Sequence, residues 1–143
     1  MISSSNQTAF ATLTNMYEAV NIPTATAALS YTLVCTGDTK ASVITDILFR
    51  SFDGTARLFN IIICATGNQT TAANSRIMVS IPANAGNNGS TAIASLAALA
   101  PSLFDLDLSG NRIMTLESGQ SVYVQNTTLT AGAFNLTIKH RRF

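Results

Sequence analysis

The last third of this chain constrains its fold more than any other stretch. There Leu106-Asp107-Leu108, Arg112-Ile113-Met114-Thr115-Leu116, Val122-Tyr123-Val124 and Phe134-Asn135-Leu136-Thr137-Ile138 are separated by Ser109-Gly110-Asn111, Glu117-Ser118-Gly119 and Thr130-Ala131-Gly132. Short runs of alternating apolar and polar residues, punctuated by glycine, are β-strands joined by tight turns. Turns this short leave no loop in which an elaborate active site could be built. Function is therefore expected on the surface and edges of a sheet.

Upstream the same reading continues. Residues 26–35, 42–52, 56–66 and 76–81 read as strands, with a turn at Thr36-Gly37-Asp38-Thr39 and a hairpin at Ser51-Phe52-Asp53-Gly54-Thr55, where Asp-Gly supplies a positive φ. Leu58-Phe59-Asn60-Ile61-Ile62-Ile63-Cys64 is apolar on both faces, as in a central strand covered on two sides. Residues 82–89 read as a long loop. Ser90 or Thr91 then caps a helix over 92–99, ended by Pro101, which turns Ile93, Leu96 and Leu99 toward the core. At the start of the chain, Phe10, Leu13, Met16, Tyr17 and Val20 recur at spacings of three and four. That spacing predicts a helix begun near Ser5 or Thr8 and closed by Pro23, lying over the domain's own core or reaching out as an arm to a neighbour. The expected architecture is all-β: a single-domain β-sandwich or jelly roll of about eight antiparallel strands over 25–143, with a helix or arm over 1–24.

Composition narrows the function. At 143 residues the chain has the size of one domain, and only 10% of it is charged while 47% is hydrophobic, so Ser, Thr, Asn and Gln make up the polar surface. A net charge of +1 supplies no long-range field toward nucleic acid or an anionic membrane, and little self-repulsion between copies. No run approaches the roughly 18 apolar residues of a membrane span, and the first residues lack the pattern of a secretory leader, which predicts a chain folded in the cytoplasm. Cys35 and Cys64 sit in apolar runs without zinc-site or redox spacing and are expected to be buried thiols. In so Asn- and Thr-rich a chain, the sequons at Asn6, Asn68, Asn88, Asn126 and Asn135 read as coincidence.

Enzyme chemistry has little to work with. There are seven acidic residues and one histidine, His140, which sits in the terminal Lys139-His140-Arg141-Arg142-Phe143. No catalytic site, cofactor site or metal site is assigned. Asp105-Leu106-Asp107-Leu108-Ser109-Gly110-Asn111 opens like a calcium loop, but Leu116 stands where a bidentate carboxylate is needed, so the aspartates are assigned to the solvent side of a strand. The terminal basic cluster is too small, and too poor in aromatic platforms, to argue for nucleic-acid binding.

Residues 82–138 resemble small virion proteins of tailed bacteriophages. The likeness lies in Ile81-Pro82-Ala83, a loop and short helix, Leu106-Asp107-Leu108-Ser109-Gly110-Asn111, Leu116-Glu117-Ser118-Gly119-Gln120-Ser121-Val122-Tyr123-Val124 and a final Leu136-Thr137-Ile138 strand. The resemblance implies a non-enzymatic β-sandwich subunit of the virion that decorates or cements the capsid by binding the major capsid protein, as a trimer or another closed ring of its own copies. The alternatives are a tail, neck or fibre-attachment component, or a carbohydrate-binding β-sandwich; against the last, the chain has no Trp. The residues assigned to partner binding are Phe10, Leu13 and Tyr17 near the start and Arg141, Arg142 and Phe143 at the end, because aromatic and Arg anchors dominate interface energies.

Overall fold

The computed structural model describes residues 16–37 and 42–142. Ten strands form two antiparallel sheets. They are β1 (Met16–Ile22), β2 (Tyr31–Thr36), β3 (Ser42–Ser51), β4 (Arg57–Ala65), β5 (Ser75–Ile81), β6 (Ala94–Ser95), β7 (Asp105–Leu106), β8 (Arg112–Leu116), β9 (Gln120–Asn126) and β10 (Phe134–Arg142), with one short helix, α1 (Leu96–Leu99). The first sheet runs β1-β10-β3-β8-β7, with β6 also on β3; the second runs β2-β9-β4-β5.

Alternation decides what lies between the sheets. In β10, Phe134, Leu136 and Ile138 are fully buried while Asn135, Thr137 and Lys139 are half-exposed, as a period of two requires. Phe59 of the second sheet reaches across to both Phe49 and Phe134 of the first, with ring centroids 5.8 and 4.9 Å away. The steeper pair is edge-to-face, the arrangement that aromatic quadrupoles favour. Each such side chain contributes about 1.5–3 kcal/mol by leaving water. β4 is central, as its apolar run predicted: Phe59 and Ile61 point into the core, while Ile62 and Cys64 form a separate cluster with Tyr123 on the other face.

The structure corrects several local expectations. Residues 16–22 are not helical but an edge strand, paired with β10 from Met16↔His140 to Ile22↔Phe134. The spacing of 16, 17 and 20 fits a helix face as well as a strand, and a seven-residue pairing with β10 outweighs that local preference. Phe10 and Leu13 lie outside the described residues. The strand expected over 26–35 starts only at Tyr31, because Ala25 and Leu29 hold φ of 64° and 62°. The helix expected over 92–99 shrinks to four residues: Ser95, not Ser90 or Thr91, caps it by accepting from the Ala98 N–H at 3.3 Å, and only Leu96 is buried while Ile93 and Leu99 remain exposed. The segment from Ser51 to Thr55 is not a hairpin. β3 and β4 belong to different sheets, so it is an arch between them, and Gly54 is not among the positive-φ glycines.

Candidate attachment surface

Because β1 and β10 are antiparallel neighbours, the first described residues and the last lie side by side at one end of the first sheet. Met16 is opposite His140 and Tyr17 opposite Lys139. The pleat turns Tyr17, Lys139 and Arg141 to the outer face, since Ile138 and His140 point inward. Tyr17 is 64% exposed on this outer face. Farther along, Arg50 opposes Asn135, its guanidinium stacks 4.7 Å from the Phe52 ring centroid, and it donates to Asn87 Oδ1 at 3.3 Å. The outer face of the first sheet thus carries Lys139, Arg141 and Arg50, with Asp46 opposite Lys139, and is edged by an exposed tyrosine. Of the residues assigned to partner binding from sequence, the structure places Tyr17 and Arg141 on this surface and the Arg142 backbone in the β10 ladder opposite Ser42. Phe10, Leu13 and Phe143 lie outside the described residues.

Directly behind it is a small cavity of about 20 Å³ lined by Glu18, Cys35, Thr36, Ser42, Ile44, Ile138 and His140. His140 is buried, and its Nε2 lies 3.3 Å from Glu18 Oε1, an electrostatic contact without hydrogen-bond geometry. Glu18 escaped notice in the sequence because it occupies an inward position of β1, between Met16 and Val20, that the helical reading scrambled; strand alternation was the signal for it. A Cys, a His and a Glu around one cavity resemble a nucleophile with its base, but the electrostatics oppose that use. Burial, and then the negative charge of Glu18, push the Cys35 thiol up to about 12 against a backbone hydrogen bond with Val122. A thiol held protonated is a poor nucleophile and a poor metal ligand. Among the described residues no three His, Cys, Asp or Glu side chains are placed to hold a metal ion.

The acidic tip between β7 and β8 is a turn in its own right. Asp107 Oδ1 accepts from the N–H groups of Ser109 (2.9 Å) and Asn111 (2.8 Å), and Gly110 takes the left-handed φ of 82° that closes the turn. That oxygen is occupied by the backbone. Among the described residues no helix is long and apolar enough to cross a membrane.

No family model and no curated protein matches the chain. Among solved structures it is similar to a chain of the cyanophage Pam1 capsid asymmetric unit, with a TM-score of 0.46 and 11% sequence identity, over 92% of this chain and 85% of that one.

Proposed function

We propose that this chain is a non-enzymatic structural subunit of a tailed-bacteriophage virion, a decoration or cement protein that attaches to the major capsid protein through the edge formed by its first and last strands. The observation that carries this reading is the pairing of Met16 with His140 and Tyr17 with Lys139, which makes one contiguous patch out of two distant stretches of sequence. An exposed aromatic ring beside cations is the side-chain chemistry that anchors interfaces. The two sheets supply the support, and the Cys35 thiol that lines the cavity with His140 is held protonated by burial and by Glu18, which disfavours its use as a nucleophile.

The test is reconstitution on capsids assembled without this chain. Because Met16 begins a core-paired strand, truncation must stop at residue 15. Deleting residues 1–15, or combining Tyr17→Ala with Lys139→Glu, is expected to leave a cooperatively unfolding domain and to weaken particle binding about tenfold or more. Folded variants that decorate capsids at wild-type occupancy would sink the assignment of this edge. Binding confined to tails would place the subunit there instead.

A further inference from the structure

Asn88-Gly89 is the single Asn-Gly pair in the chain. Asparagine is thermolabile because the next backbone nitrogen can attack its side-chain carbonyl, and glycine, with no Cβ, leaves that approach open. A fold suppresses the attack by burying the side chain or by tying that N–H into a hydrogen bond, and permits it where the two groups are free to meet.

The loop after β5 leaves them free. Residues 86–90 are exposed, in a loop closed by the Gly86 N–H on the Thr91 carbonyl at 2.8 Å. Gly89 has a φ of 74°, nothing lies within 4 Å of where a Cβ would stand, and its N–H enters none of the backbone hydrogen bonds around it. Asn88 Oδ1 accepts from the N–H groups of Ser90 at 3.0 Å and Thr91 at 2.8 Å, which folds the side chain forward across Gly89. Those donors sit on the oxygen that turns negative when Cγ is attacked, so they stabilise the addition. Related pairs elsewhere are closed off. At Asn74-Ser75 the Ser75 N–H is held by the Ala72 carbonyl, and Asn74 Nδ2 donates to the Asn68 carbonyl at 3.0 Å. At Asp53-Gly54 the carboxylate is buried and occupied by Arg57 and by the Thr55 and Ala131 N–H groups.

We propose that Asn88 is a self-modifying site, which loses ammonia through a cyclic imide with Gly89 and becomes aspartate or isoaspartate. Hydroxide takes the Gly89 N–H proton, and the nitrogen bonds to Asn88 Cγ. The Cγ–Nδ2 bond then breaks, and ammonia leaves with a proton taken from water. Water opens the ring at either carbonyl. Cleavage of the new N–Cγ bond gives aspartate, whereas cleavage of the original peptide bond gives isoaspartate, with one more methylene in the main chain; nothing is oxidised or reduced. Either product puts a carboxylate next to Asn87, whose Oδ1 accepts from Arg50 at 3.3 Å, and cancels the chain's net charge of +1. The proposal does not depend on the virion reading.

Incubation of the purified chain at about 37 °C and about pH 8 in heavy-oxygen water, followed by peptide mass spectrometry and labelling with an isoaspartyl methyltransferase, tests it. Position 88 should take up heavy oxygen and yield both aspartate and isoaspartate, faster as hydroxide increases and ahead of positions 53 and 74. Gly89→Ala sets a methyl group beside the attacking nitrogen and should slow conversion at least about tenfold in a chain that still unfolds cooperatively. A folded wild-type chain in which Asn88 stays intact, while the same chain unfolded in urea converts it, overturns the proposal, because the fold then protects the pair. So does conversion to aspartate alone, conversion at position 74 as fast as at 88, or a folded Gly89→Ala variant that converts at the wild-type rate.

Discussion

The two ends of the sandwich solve the same problem with opposite materials. At the β3–β4 arch, the Asp53 carboxylate is fully buried yet saturated: it takes Arg57 Nε at 2.7 Å, the Thr55 N–H at 2.9 Å and the Ala131 N–H at 2.9 Å. Beside it, buried Asn126 places its amide nitrogen within hydrogen-bond distance of the Thr26, Ala27 and Thr128 carbonyls. Thr130 accepts from the Thr26 N–H and donates to the Pro23 carbonyl. At the other end, where the first and last described residues lie, His140 Nε2 approaches Glu18 Oε1 to 3.3 Å without hydrogen-bond geometry, next to a cavity. The first end ties three connections of the chain together with directional bonds to a buried carboxylate and amide, while the second holds a buried imidazole beside a small cavity.

Removing Asp53 should have the largest effect. Asp53→Ala strands the Arg57 guanidinium and two backbone N–H groups at once, and is expected to cost about 3 kcal/mol or more in denaturant titrations. A loss below about 1 kcal/mol would mean that the arch is not a lock, and the contrast between the two ends would fail.

Acid should act through the same group. Burial alone would raise the Asp53 carboxyl, but the Arg57 hydrogen bond, the Ala131 and Thr55 N–H groups and the Arg57 charge together outweigh it and hold the group below its ordinary value of 3.8. The unfolded chain therefore binds this proton first as pH falls. The stabilisation is complete above about pH 4 and drains away as pH drops through the lower, folded value. Melting temperatures measured between pH 6 and pH 2 should fall more steeply for the wild type than for Asp53→Asn; parallel curves would remove Asp53 from the account.

Legibility in the sequence followed the period of each element. β10 was readable because Phe134, Leu136 and Ile138 alternate cleanly with polar partners, and β4 because its run is apolar on both faces. β1 was misread because Glu18 interrupts the inward row of Met16, Val20 and Ile22, and because Tyr17, an outward residue, falls at helical spacing from Phe10, Leu13 and Val20. Gly119 was correctly placed at a turn, with φ of 83°, but turn chemistry does not say whether the next strand stays in the sheet. β8 and β9 in fact lie in different sheets, as do β9 and β10. The β1–β10 edge combines both cases: the Tyr17 and Arg141 side chains were singled out from their types, whereas their adjacency exists only through the β1–β10 register.

The smallest effect is expected at the cavity end. Glu18 is about half-exposed and its contact with His140 lacks hydrogen-bond geometry, so solvent screens the Glu18 charge and leaves the contact little to contribute. Glu18→Gln keeps the shape and removes the charge, and should change stability by less than about 1 kcal/mol at neutral pH. It also removes the second of the two influences that hold the Cys35 thiol up, so at a fixed pH near 7.5 alkylation of Cys35 by a small maleimide should be modestly faster while burial still dominates. A destabilisation matching that of Asp53→Ala would show that β1 is locked as firmly as the arch.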